Sequence, residues 1–197
     1  MAVKLFNLYD CDSVVVNDPG LKRVINLKPK VVLKSHGRIR GKFSQTKMNI
    51  VERLANLVGV PGHRGKKNVI MTGWASGKYT KNMKIVLGAF KIIEEKTKEN
   101  PVQVLVRAVE VASPREEVTT IEYGGAKYPQ AVDTSPVRRI ALTLRLIVHC
   151  AYDKTFNKKT KIEDALASEI ISASLGSGDS GVVKKKEEME KAANSAR

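Results

Sequence analysis

The sequence predicts a mainly α-helical protein, a bundle of about six helices with a protruding β-hairpin and an extended basic N-terminal arm. Three observations carry this. Apolar residues recur every three to four positions through most of the second half of the chain, which places them on one face of a helix. That period is interrupted by two stretches flanking Gly124-Gly125, the signal of a hairpin. Ahead of both lies a segment dense in lysine and arginine with little apolar surface of its own.

Residues 4–34 read as extended, with apolar runs at Val14-Val15-Val16 and Val31-Val32-Leu33 punctuated by Asp18-Pro19-Gly20 and Lys28-Pro29. Residues 35–43 hold too many glycines and charges to pack alone and read as a basic arm. A helix is expected over 45–58, with Met48, Val51, Leu54 or Ala55, and Val58 on its apolar stripe. A Gly- and Lys-rich loop follows, then a helix over 80–96. Its inner face carries Met83, Leu87, Phe90 and Ile93, and Lys81, Lys84 and Lys91 share another face. Asn100-Pro101 is an N-cap followed by a first-turn proline, and Ser113-Pro114 ends the helix that it opens.

The hairpin strands are expected at 118–123 and 127–132. Ser135-Pro136 repeats the cap device and opens the strongest helix, through 152, with Ile140, Leu144, Ile147, Val148 and Ala151 on its core face. Thr160-Lys-Ile-Glu163 fits a capping box for a helix ending near Leu175-Gly176. Residues 176–181 read as a flexible joint. The tail beyond it has helical composition but almost no apolar face, so it must lean on a partner or fray. The expected organisation is therefore an N-terminal segment and basic arm (1–47), a helical domain (48–175, hairpin 118–132) and a charged C-terminal helix behind the joint (176–197).

Charge points to the partner. Between Pro19 and Ile93 there are 17 lysines and arginines and one acid, Glu52, whereas the rest of the chain holds 18 basic and 19 acidic residues. Such a stretch repels itself and is best stabilised by a polyanion, of which nucleic acid is the leading candidate. A pI of about 9.9 agrees. The basic residues expected on nucleic acid are Lys22, Arg23, Lys28, Lys30, Lys34, Arg38, Arg40, Lys42, Lys66, Lys67, Lys78, Lys81, Lys84, Lys91, Arg115, Arg138, Arg139 and Arg145. The arm over 22–47 is expected to fold on binding, for want of apolar surface.

Three expected helices also begin with basic residues: Lys78, Lys81 and Lys84; Arg138-Arg139; and Lys184-Lys185-Lys186. The helix dipole disfavours cations there, whereas a phosphate docked at the helix end would welcome them.

Other chemistry is weaker. Gly73-Trp-Ala-Ser-Gly-Lys78 is one residue short of a nucleotide-binding loop, and Tyr79 stands where a magnesium-ligating Ser or Thr belongs. His36 and His63 lie in basic loops and His149 beside a core face, so a nuclease is a distant reading. Cys11 and Cys150 lie far apart without metal-ligand spacing and are expected as reduced thiols; no metal or cofactor is expected. Scarce aromatics argue against a stacking platform. No signal peptide or span of about 20 apolar residues is visible, so the chain is expected in the cytoplasm, away from membranes. An independent nucleic-acid module remains the second reading.

The series Glu99-Asn-Pro-Val-Gln-Val-Leu-Val-Arg-Ala-Val109, Ser113-Pro-Arg-Glu-Glu117, Gly124-Gly125 and Gln130-Ala-Val-Asp-Thr-Ser-Pro-Val-Arg-Arg139 resembles the small-subunit ribosomal protein S-seven family, in its archaeal and eukaryotic form. Ile50-Val-Glu-Arg-Leu54 before it and Lys184-Lys-Lys-Glu-Glu-Met-Glu190 after it extend the likeness over about residues 50–191. The resemblance implies a helical domain with a protruding hairpin in the head of the small ribosomal subunit. It implies binding to the 3′ major domain of the small-subunit ribosomal RNA, contacts with neighbouring ribosomal proteins, and no catalytic step.

The resemblance also implies that Arg115, Arg138, Arg139 and residues 78–84 face ribosomal RNA. The hairpin tip, Tyr123, Gly124, Gly125, Ala126 and Lys127, would then point toward exit-site transfer RNA and the messenger RNA path. Two features depart from the family pattern. The first hairpin strand is acidic at Glu116, Glu117 and Glu122, and the 59–77 loop is long, so Gly65-Lys-Lys67 and Gly77-Lys78 both match the family's Gly-Lys-Lys.

Overall fold

The computed structural model describes residues 4–35, 39, 41, 44–62 and 76–197. Among these are seven α-helices and one two-stranded antiparallel sheet. Asp18-Pro19-Gly20, expected as punctuation, instead opens a one-turn helix, α1 (Pro19–Lys22). The Asp18 carboxylate accepts from the Gly20 N–H at 2.8 Å, and Pro19 occupies the first turn, where its missing N–H costs nothing.

The helix expected over 45–58 is divided. A 3₁₀ turn (Ser44–Lys47) precedes α2 (Ile50–Gly59), because Asn49 caps α2 by accepting from the Val51 N–H at 2.9 Å. Asn49 also bridges to Asn26, and its amide donates to the Lys28 carbonyl at 3.1 Å. The Asn26 amide donates to the Lys47 carbonyl at 2.6 Å. Leu21, Ile25 and Leu33 are buried, so the described part of the arm has apolar anchors that its composition conceals.

Further along, α3 (Tyr79–Thr97) and α4 (Pro101–Ala112) follow the apolar periodicity closely, and Asn100 caps α4 by accepting from Val102 N–H at 3.0 Å. Strands β1 (Glu116–Tyr123) and β2 (Ala126–Asp133) pair with Tyr123 opposite Ala126. Gly124 and Gly125 take φ of 57° and 80°, the left-handed pair that a two-residue turn between twisted strands requires. Next come α5 (Pro136–Thr155), α6 (Ile162–Ser174) and α7 (Gly181–Ser195).

The core lies where α6 packs against α3, α4 and α5, with Phe90, Leu105, Ile140, Leu144, Ile147 and Leu166 fully buried. Two expected caps differ. Ser135 precedes α5 without a side-chain cap bond. The Thr160–Glu163 capping box does not form, since α6 starts one residue later, with Lys161 at its cap. Glu163 packs on Gly88 of α3 instead, where a Cβ would meet its carboxylate at 2.8 Å.

Residues 176–181, read as a joint, turn back onto the core. The fully buried Glu169 carboxylate accepts from the Ser180 hydroxyl at 2.7 Å and from the Val182 N–H at 3.2 Å, and pairs with Lys154. The partner that the tail needs is the chain itself: α7 buries Val182, Val183 and Ala193 and lies along β1. Lys186 donates to the Val111 carbonyl at 2.8 Å, and the Arg115 N–H donates to Glu190 at 3.1 Å.

Candidate nucleic-acid interface

The chain's N-terminal segment is laid across the helices by polar side chains of α4. Gln103 accepts from the Val15 N–H at 2.8 Å and donates to its carbonyl at 3.0 Å, in the manner of a strand partner. Glu110 accepts from the Asn17 and Asp18 N–H groups at 2.6 and 3.0 Å. These bonds fix the course of the backbone that then carries Lys22, Arg23, Lys28, Lys30 and Lys34, all exposed.

Between this segment and the start of α2 opens a cleft of about 980 Å³, lined by Arg23, Lys28, Lys30, Lys34 and Lys47. Glu52, the lone acid of the basic window, lies at its inner edge. It is buried and its carboxylate accepts from the Ser35 N–H at 2.6 Å. Glu52 is thus spent on the backbone, and with Asp12 the only other acid on the lining the rim keeps an excess of positive charge. Lys34 lies 5.8 Å from the centroid of the Tyr79 ring, and the Tyr79 hydroxyl donates to the Leu33 carbonyl. Burial, reinforced by the nearby Glu52 charge, pushes the Tyr79 phenol well above its usual range, so it stays a neutral donor.

The start of α3 adds Lys78, Lys81 and Lys84, with no acid in its first turn and no side-chain cap on its N–H groups. Lys84 and Lys91 are exposed on this helix. At the start of α5 the picture changes. Arg138 grips Glu117 of β1 through two contacts, at 2.5 and 2.7 Å, which raise its pKa. Arg139 is only 12% exposed and donates to Asp18 and to the Ser113 hydroxyl, both at 2.9 Å. Burial alone would raise the Asp18 carboxyl. The Arg139 hydrogen bond, the Gly20 N–H and the Arg139 charge together outweigh it and hold that group below its usual range.

Arg139 thereby locks the cap of α1 and the end of α4 to the start of α5. The acids of the first hairpin strand have the same use: Glu117 holds Arg138, and Glu116 pairs with Arg197 beyond α7. They brace the base of the hairpin. Its far end is bare, with Tyr123 81% exposed and Ile121 and Tyr128 exposed beside it. Gly124, Gly125, Ala126 and Lys127 complete that exposed end, and Arg115 is exposed at the base.

One buried basic residue is not among those expected on nucleic acid. Arg53 falls off the apolar stripe of its helix, yet both sides of α2 are covered and it is 6% exposed. It lines a notch of about 170 Å³ with Arg145 of α5. Burial lowers its pKa, and Nη2 has no hydrogen-bond partner.

Arg38, Arg40, Lys42, Lys66 and Lys67 lie outside the described residues, as do His36, His63, Gly73 and Trp74. His149 bonds the Pro61 carbonyl at 2.6 Å and Tyr152 donates to the Val58 carbonyl at 2.7 Å, so both tie α5 to the end of α2. Among the described residues no cluster of His, Cys, Asp and Glu is placed to hold a metal ion, and no helix is long and apolar enough to cross a membrane.

Comparison with known proteins agrees over the whole chain. Residues 21–197 match the family model described as Ribosomal protein S7p/S5e. The chain is 48% identical to the small ribosomal subunit protein uS7 of Nanoarchaeum equitans, over 100% of both sequences. It is 42% identical to that of Thermoplasma volcanium over 98% of this chain and 100% of the relative, and 44% identical to that of Archaeoglobus fulgidus over 98% and 94%. With a helical bundle, a braced hairpin and a cationic cleft already in place, this similarity over its full length makes the chain a member of the ribosomal protein S7p/S5e family.

Proposed function

We propose that this chain is a structural protein of the small ribosomal subunit that binds the 3′ major domain of the ribosomal RNA and organises assembly of the subunit head. It performs no catalytic step and works in the cytoplasm, alongside neighbouring small-subunit proteins. Its hairpin extends toward exit-site transfer RNA and the messenger RNA path. The observation that carries the RNA reading is the cleft: five cationic side chains line it against two acids, Asp12 and Glu52, and Glu52 is already bonded to backbone. Such a surface reads phosphates and the shape of the RNA rather than base edges.

The direct contacts are assigned to Lys22, Arg23, Lys28, Lys30, Lys34, Lys78, Lys81, Lys84, Lys91, Arg115 and Arg145. Arg138 faces the RNA while held by Glu117, and Arg139 acts by fixing the elements around it. The test is competition binding at about 150 mM salt, where weak charge-only contacts are suppressed. A complex with the 3′ domain that survives excess unrelated structured RNA and duplex DNA supports the assignment. Loss to either competitor reduces the chain to a general polyanion binder.

A further inference from the structure

We propose that the notch between α2 and α5 is a phosphate seat, in which Arg53 and Arg145 together hold one backbone phosphodiester of the bound RNA. This rests on the RNA-binding reading above and adds a site outside the basic cleft.

Arg53 is 6% exposed, its Nη2 has no hydrogen-bond partner, and its guanidinium has no ion pair among the described residues. A buried cation without a counter-charge is costly to keep, because it loses its water and gains nothing in return. The nearest acid in sequence, Glu52, is committed to the Ser35 N–H. The neutralising charge therefore comes from outside the described fold.

The notch lining says what that group is. Every polar side chain on it can donate: the two guanidinium groups and the amides of Gln45 and Asn56, with no carboxylate among them. Asn56 presently directs its amide to the Met48 sulfur at 3.3 Å, a weak acceptor that a phosphate oxygen outcompetes. Leu57 and Ala141 supply an apolar wall, which limits water and strengthens a charge pair. No aromatic lines the notch, so a stacked base gains little there. Two forked donors around a small volume match a tetrahedral anion. The source is RNA, because the same helix, α2, is stitched at its N-terminus to the basic segment through Asn49 and Lys28.

The experiment measures binding of the intact chain to the 3′ domain across a salt series, for the parent, Arg53→Met and Arg145→Gln, with thermal melts of the free proteins. Either substitution is expected to weaken binding about tenfold. Each should lower the slope of log affinity against log salt by about one. Free Arg53→Met should melt no lower than the parent, since it removes an unpaired buried charge. Unchanged affinity and slope, with a lower melting temperature, would make Arg53 a framework residue and overturn the proposal. Should Arg53→Met fail to fold, Arg53→Lys decides: weaker binding at a nearly unchanged slope is expected, because the charge stays while the forked donors go, and unchanged affinity would overturn the proposal.

Two further outcomes separate the causes. A parent that loses the 3′ domain to competitors defeats the RNA reading itself, and this proposal with it. A parent that binds RNA normally, with both variants retaining its slope but losing stabilisation by inorganic phosphate or by an acidic peptide, assigns the seat to a free anion or a protein carboxylate.

Discussion

Replacing Arg139 by methionine strands two groups at once, the Asp18 carboxylate and the Ser113 hydroxyl, in a site where the guanidinium is 12% exposed. Removing one partner of a part-buried charged hydrogen bond costs about 1.5–3 kcal/mol. Arg139→Met should therefore lower stability by that amount in a denaturant titration, whereas Lys91→Met, on an exposed face, should leave it nearly unchanged. Asp18 also gives this contact a pH signature. Its carboxyl is held below the ordinary 3.8, so the stabilisation is complete above that value and is lost as pH falls through the lower folded-state value. Over that window the unfolded chain binds more protons. Asp18→Asn should flatten this acid limb, and thermal melts between about pH 2 and 5 would show it.

At the same scale, burial first and then Asp10 and Asp12 push the Cys11 thiol up to about 11. It is protonated and covered at pH 8, and mass spectrometry should find it alkylated far more slowly in the native protein than in the denatured chain.

At the scale of elements, the helices announced by a cap and a proline were legible, because Asn100-Pro101 needs only neighbouring residues to work. The Gly124-Gly125 turn was legible for the same reason. Features that depend on distant contacts were not. The helix before α3 divides at Asn49 because Asn26, 23 positions earlier, pairs with it. The 160–163 capping box yields to Glu163 packing on Gly88. The 176–181 segment looks loose by its glycines and serines, yet it closes on Glu169, which sequence gives no reason to bury. Glu169→Ala should leave the buried Ser180 hydroxyl and the Val182 N–H without their partner and cost about 1–3 kcal/mol. Hydrogen exchange would then show α7 opening ahead of the rest of the bundle.

Across the whole molecule, the charge imbalance pointed correctly to a family that works with RNA, since net charge survives folding whatever the topology. What it did not separate is charge spent inside the fold from charge left for a ligand. Arg139 and Asp18 are 121 positions apart, and nothing local to either reveals the pair. Folding divides the basic residues accordingly. Arg139 holds the cap of α1, Arg138 is held by Glu117 yet stays exposed, Glu52 is withdrawn into a backbone contact, and the cleft keeps an excess of positive charge.

The most direct test of that division neutralises the cleft alone. Lys28→Gln, Lys30→Gln and Lys34→Gln combined should leave the melting temperature of the free protein close to the parent's, because all three side chains are exposed. Binding to the 3′ domain of small-subunit ribosomal RNA should weaken steeply, with the salt slope reduced by about two to three. An unchanged slope and affinity in this folded triple variant would show that the cleft does not meet RNA and would contradict the account.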